Sequence, residues 1–258
     1  MIRLAYHPAS YLRQNVCSNE AIADIAETGW DGFEWSSGAL TEHFDGPGPC
    51  REYLDSVGVE LSGIYHTCRF ENNAQIEEWV AAGEETIDFA TAVGTEVLMI
   101  DGGSTELPVD ASSVQRVADA ADELGQMAAD NGMICTWHQH WGTLFQYPDQ
   151  FAALMDATDP KYVKCTLDTA HLALGGFDIA ETFRRYVNRM SYVHFKDLDE
   201  DRRFADLKTG TVDLETPAQI LRDNDFDGWA VCDLDYTDRG PRESSRHNFQ
   251  TLKKLLDL

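Results

Sequence analysis

Lysine is scarce in this sequence, with six residues among 258 (Lys161, Lys164, Lys196, Lys208, Lys253 and Lys254). Lys and Arg together number 20, against 45 Asp plus Glu, for a formal net charge of −25. Nucleic-acid phosphates are contacted by a basic face, so nucleic acid is not expected as a partner. No run approaches the roughly 18 apolar residues of a membrane span, so no membrane is expected either. Residues 1–6 lack the long apolar stretch of a signal peptide. The six cysteines (Cys17, Cys50, Cys68, Cys135, Cys165 and Cys232) include no C-x-x-C pair, which excludes a zinc-knuckle or disulfide framework. Cys135, Cys165 and Cys232 stand inside apolar runs and read as buried thiols in a reducing, cytoplasmic protein.

The acids are dispersed (Glu84-Glu85, Asp119, Asp122-Glu123, Asp199-Glu200-Asp201, Asp223, Asp225 and Asp227) rather than gathered in a tail. Such a shell repels itself in dilute buffer. At molar salt the Debye length falls to about 3 Å and the repulsion is screened. The charge therefore reads as adaptation to a salty cytoplasm, with a halophile as the expected source.

Short strand-like runs alternate with longer helix-like ones. The strands are expected at 2–6, 32–35, 59–65, 96–100, 133–137, 163–167, 191–195 and 229–234. Helical patterns fill the intervals at 19–28, 50–57, 74–93, 111–131, 148–156, 178–186, 214–223 and 244–256. Gly29, Gly58, Gly94 and Gly132 stand where helices end, and a left-handed residue is needed there. Eight βα units in order imply parallel strands with helical crossovers. Neither G-x-G-x-x-G nor G-x-x-x-x-G-K-[ST] follows a strand, which counts against a doubly wound nucleotide-binding sheet. No linker interrupts the chain. The expected fold class is α/β, a single (β/α)8 TIM barrel spanning residues 1–258 as one domain; the length suits it.

In such a barrel the active site lies where strands end and βα loops begin. Six of the eight histidines fall at those ends: His7, His66, His138, His140, His171 and His194. Glu34, Tyr65, Asp101, Trp137, Asp168, Lys196, Asp233 and Asp235 stand at the same level. His138, Asp168, His194 and Asp233 come from strands 5, 6, 7 and 8. Neighbouring strands of a closed barrel aim their ends at one axis, so these four are the expected ligands of a divalent metal. Mixed imidazole and carboxylate donors suit Mn, Co, Fe, Ni or Zn better than Ca, and the expected cofactor is a divalent metal, Mn, Co, Zn or Mg. His7, Glu34, His66, Trp137 and Asp235 are expected to line the substrate. Tyr65 and Trp137 read either as barrel packing or as sugar-stacking rings, and Arg202-Arg203 either as a solvated loop or as a phosphate contact.

The motifs Asp168-Thr169-Ala170-His171, His194-Phe195-Lys196-Asp197 and Gly228-Trp229-Ala230-Val231-Cys232-Asp233 resemble those of the xylose-isomerase-like barrels. That group includes sugar isomerases and epimerases, endonuclease IV and inosose dehydratase. Its epimerase branch places glutamates, which double as paired bases, where His138 and Asp233 stand here. His138-Gln139-His140-Trp141-Gly142-Thr143 is instead similar to the H-x-H-x-G-T stretch of inosose dehydratases. Lys208 to Asp213 partly resembles their G-x-G-x-x-D loop, with Lys208 in place of the first glycine. The resemblance implies metal-assisted proton removal next to a carbonyl. The expected substrate is a small keto-sugar or keto-cyclitol, and the expected reaction is that of an inosose dehydratase-like lyase. A sugar (phosphate) isomerase or epimerase is the alternative, and an endonuclease IV-like phosphodiesterase a more distant one. Lys196, His140 and His171 are the candidate catalytic acid and base. Lys196 is expected either to have a pKa lowered towards neutrality or to pair with Asp197 or Glu34. An oligomer is left open.

Overall fold

The computed structural model describes residues 1–16, 18–67, 73–103 and 108–258; Cys17 and Cys68 lie outside them. Among these residues eight parallel strands close into a barrel in chain order. They are β1 (Ile2–His7), β2 (Gly32–Ser36), β3 (Glu60–His66), β4 (Val97–Ile100), β5 (Ile134–His138), β6 (Val163–Asp168), β7 (Met190–Phe195) and β8 (Gly228–Asp233). β8 returns to β1, with His7 opposite Asp233. The fold is the (β/α)8 TIM barrel expected from the alternation of elements, and each strand boundary lies within one residue of expectation.

The helices packed outside include Ser18–Thr28, Pro47–Val57, Asn73–Val93, Ala111–Asp130, Pro148–Ala157, Ile179–Tyr186, Glu215–Asp223 and Pro241–Leu255. Two of them begin three residues earlier than the apolar period indicates. Pro47 and Pro241 occupy the first helical turn, where a fixed φ suits the helix and no amide donor is required. Gly58 ends the first of these helices in the left-handed region, at φ 73°, and its amide reaches Leu54 O. The helices at Ala9–Leu12, Ser37–His43 and Thr169–Gly175 are too short for a periodic signal. So is a hairpin pairing Asp197–Leu198 with Phe204–Ala205. No helix of the described residues is long and apolar enough to cross a membrane.

Successive strand residues face opposite ways. Ala5, Val97, Met99, Tyr192, Trp229 and Val231 form one buried cluster inside the barrel. The larger core lies between strands and helices. Two glycines make room for the interior aromatics. A Cβ at Gly32 would stand 2.9 Å from the Trp229 ring, and one at Gly63 would stand 3.1 Å from the Tyr192 hydroxyl. The interior is filled from its base, and polar groups remain at its C-terminal rim. Cys50, Cys135, Cys165 and Cys232 are buried free thiols.

Candidate metal centre and active site

The inward face of β5 carries Thr136 and then His138; that of β6 carries Thr166 and then Asp168. The threonine hydroxyls meet at 2.8 Å, which fixes the level of the next pair. Asp168 stands opposite His194 in the ladder. Strand geometry thus brings three donors to one place: His138 Nε2, Asp168 Oδ2 and His194 Nδ1. All three are buried, and none has a hydrogen-bond partner among the described residues. One ligand atom from each of the three residues can be chosen so that all lie within 4.8 Å of one another. Asp168, His171 and Asp233 form a second such group sharing Asp168. His194 Nδ1 lies 3.7 Å from Asp168 Oδ2 and 3.8 Å from Asp233 Oδ2. The four residues expected as ligands are therefore drawn into one cup, with His171 at its edge.

Burying an unpaired polar atom costs free energy, and three such atoms facing one another mark a place for a cation. The charges agree. Glu34, Asp168 and Asp233 are three buried carboxylates and Lys196 is one buried ammonium, leaving two negative charges, the number a divalent ion neutralises. In the structure His194 meets part of that deficit. Burial opposes its protonation, but Glu34, Asp168 and Asp233 outweigh burial and raise its pKa to about 10. His138 goes the other way. Burial, reinforced by His194 and His140, holds its pKa well below the usual imidazole range.

Each imidazole is held from behind. Tyr65 Oη is 3.1 Å from His138 Nδ1, leaving Nε2 bare. Glu34 Oε2 is 3.1 Å from His194 Nε2, leaving Nδ1 bare. Metal-bound histidines are oriented in this way by a carboxylate, carbonyl or hydroxyl on the far nitrogen.

Lys196 is fully buried, with Nζ 2.8 Å from Asp233 Oδ2, 2.6 Å from Asp235 Oδ2 and 4.0 Å from the centre of the Phe204 ring. Burial disfavours its charge, but the two carboxylates prevail and raise its pKa. The expected lowering towards neutrality is thus corrected, and so is its expected partner. Asp197 turns instead to the amides of Leu198, Gly210 and Val212. Asp233 is held well below the usual carboxylate range by Lys196, His7 and His194 despite its burial.

His140 and His171 lie side by side, ring centroids 3.8 Å apart. Burial, with His140 and Lys196, holds His171 well below the usual imidazole pKa, so it is neutral at pH 7. Neither of its nitrogens has a hydrogen-bond partner among the described residues. An unprotonated imidazole can accept a proton.

Among the residues expected to line the substrate, His7 stays at the rim, its Nδ1 3.6 Å from Asp233 Oδ1. Four others are engaged otherwise. His66 spends Nδ1 on Thr86 and Nε2 on the Trp79 carbonyl, and stacks on the Trp79 ring. Trp137 is displaced by strand alternation. With His138 facing inward it faces outward, and it packs edge-on against Phe145 in the helix-side core. Glu34 is 0% exposed and serves His194. Asp235 is bonded to Lys196 and to Arg13, at 2.9 Å. Arg203 pairs with Asp199 and Asp201 and Arg202 with the Leu174 carbonyl, which is the solvated-loop reading. The orienting role of Tyr65, the tie from Arg13 and the ring of Phe204 over Lys196 were missed. Their partners come from distant strands and loops, and no local spacing announces them.

These features define a closed parallel barrel with a metal-competent polar cup at its C-terminal rim. The chain belongs to the xylose isomerase-like TIM barrel family, whose sequence model matches residues 22–255. An inosose dehydratase of Clostridium perfringens is 28% identical over 216 residues, 72% of this chain and 72% of that protein. The crystal structure of the IOLI protein with a bound zinc atom has a TM-score of 0.81 at 15% identity, covering 99% of this chain and 98% of that one. A D-allulose 3-epimerase from Methylomonas sp. gives 0.79 at 17% identity, covering 99% and 98%.

Proposed function

We propose that this chain is a divalent-metal-dependent lyase that removes a proton next to the carbonyl of a keto-cyclitol or keto-sugar and expels the β-hydroxyl as water, as an inosose dehydratase does. The observation that carries the reading is the convergence of buried, unpartnered donors from β5, β6 and β7, beside a neutral imidazole. A divalent cation held by His138, Asp168, His194 and Asp233 would polarise the carbonyl and stabilise the negative charge that develops on its oxygen. The neutral His171 takes the α-proton. Lys196, kept charged by Asp233 and Asp235, donates a hydrogen bond to the departing oxygen and stabilises its charge. His140, its ring 3.8 Å from that of His171, is the acid that protonates the leaving hydroxyl.

Epimerisation calls for a base on each face of the substrate. Asp233, the residue on β8 that would provide the second, is tied to Lys196 at 2.8 Å. That bond favours elimination, and the dehydratase name of the relative agrees with it. The test is incubation with inosose and with ketohexoses in molar salt with Mn or Co, followed by mass spectrometry and ultraviolet absorbance. A product lighter by one water, with conjugated absorbance, is expected. A product of unchanged mass that has taken up solvent deuterium would make the enzyme an epimerase or isomerase.

A further inference from the structure

We propose that Glu34 is a positioning residue for the cation, acting through His194 by keeping the imidazole proton on Nε2 and Nδ1 free to bind. This inference rests on the metal reading above.

Several features of the sequence converge on this one carboxylate. The pairing of β2 with β3 shifts register between Phe33 and Glu34, so that Glu34 stands opposite Gly63. Such an irregularity re-aims a side chain, and irregularities of this kind gather beside active sites. Gly63 has no side chain, and the Tyr192 hydroxyl occupies the space a Cβ there would crowd. From that position Tyr192 donates to Glu34 Oε2 at 3.0 Å. His194 Nε2 lies 3.1 Å from the same oxygen. Glu34 Oε1 has no partner among the described residues. A fully buried carboxylate with one unpaired oxygen is a poor packing group, since the desolvation of that oxygen is uncompensated. Behind a metal-binding imidazole the same carboxylate fixes the tautomer and makes Nδ1 a stronger donor.

Glu34→Gln tests the idea, because the amide has the same size and its oxygen can still accept from His194. Divalent affinity is measured with Mn and with Co by competition against a chelator in molar salt. The cobalt absorption spectrum and the melting temperature of the chelator-stripped protein are recorded alongside. We expect E34Q to weaken binding by roughly 10–100-fold and to shift the cobalt spectrum, with no fall in the stripped protein's melting temperature. In a His194→Ala background the same change should cost less than about twofold, because the route of its action is gone. Wild-type affinity and spectrum in E34Q would overturn the proposal. An equal loss in the His194→Ala background would do so as well. Should E34Q fail to fold, histidine nitrogen-15 spectra of the zinc-loaded wild type read the tautomer directly. A proton on His194 Nε2 is expected, and one on Nδ1 overturns the assignment. A wild-type chain that binds no divalent ion would sink the metal reading itself, which these variants do not address.

Discussion

The imidazoles of His140 and His171 lie 3.8 Å apart between centroids with their planes tilted by 36°. His140 Nδ1 and both nitrogens of His171 are without hydrogen-bond partners among the described residues. His171 is buried and His140 half-buried beside it. His171→Ala should lower kcat by roughly 10²–10⁴-fold, the range for a lost general base. Metal affinity should stay within a few-fold of wild type. Loss of the metal together with activity would assign His171 to the cup as a ligand through its grouping with Asp168 and Asp233.

Lys196 tests a different element of the mechanism. Its buried ammonium lies 2.8 Å from Asp233 Oδ2 and 2.6 Å from Asp235 Oδ2. Lys196→Met keeps the volume and removes the charge. Turnover should be abolished while metal content stays normal, because Asp233 loses a competitor as well as a partner. Full activity in Lys196→Met would remove the residue from the mechanism and leave the imidazole pair to supply both acid and base.

Much of this was legible in the sequence because the signals are local. A glycine just past four of the helices, strand runs of the right length and histidines at strand ends give the barrel and locate its rim. His138, Asp168, His194 and Asp233 were accessible because the family of folds that alternate β and α places strand ends on one axis. The misreadings share one cause. His66 stands at a strand end, but its nitrogens are taken by Trp79 and Thr86 from the following helix. Trp137 adjoins a ligand candidate, and the period of two sends adjacent residues to opposite faces. The charge state of Lys196 depends on Asp235, and Asp235 is tied to Arg13 across 222 positions of chain. Residue type and position along a strand are readable from sequence. Which partner satisfies a buried polar atom is decided by three-dimensional packing.

Lys208 explains the one departure from the loop motif. It has φ 63°, in the left-handed region where glycine is favoured and a side chain is strained. Gly210 is required for a different reason, since a Cβ there would collide with Asp197 Oδ1 and the Leu198 carbonyl. Asp213 accepts from the amides of Glu215 and Thr216 at the start of the next helix. The loop pattern is thus a left-handed residue, a close approach and a helix cap. Lys208→Gly should stabilise the fold by about 1 kcal/mol, since the pair it gives up, Lys208 with Glu215 at 3.1 Å, is exposed. The melting temperature should rise by roughly 2–4 °C for a chain of this size. An unchanged or lower value would mean that the ion pair outweighs the backbone strain.

The acidic shell makes its own prediction, and two neighbouring helices show why. Helix Asn73–Val93 exposes Glu77, Glu78, Glu84, Glu85 and Asp88 and has no Lys or Arg. Helix Ala111–Asp130, packed beside it, carries Asp119, Asp122, Glu123 and Asp130 against Arg116 alone. Glu84 and Asp88, four apart, are like charges one helical turn from each other, a destabilising arrangement. The repulsion is strongest at low ionic strength and is screened within about 3 Å at 1 M salt. The protein should therefore lose structure in dilute buffer and regain it above about 1 M KCl. Hydrogen exchange should show this helix pair opening first as salt is removed. Replacing Glu77, Glu84 and Asp88 by Lys should shift the transition to lower salt, because the substitution acts on charge and leaves the buried faces intact. Full ellipticity and an undiminished melting temperature in salt-free buffer would refute the adaptation to salt. They would show that burial of the apolar core alone outweighs the self-repulsion of a net charge of −25.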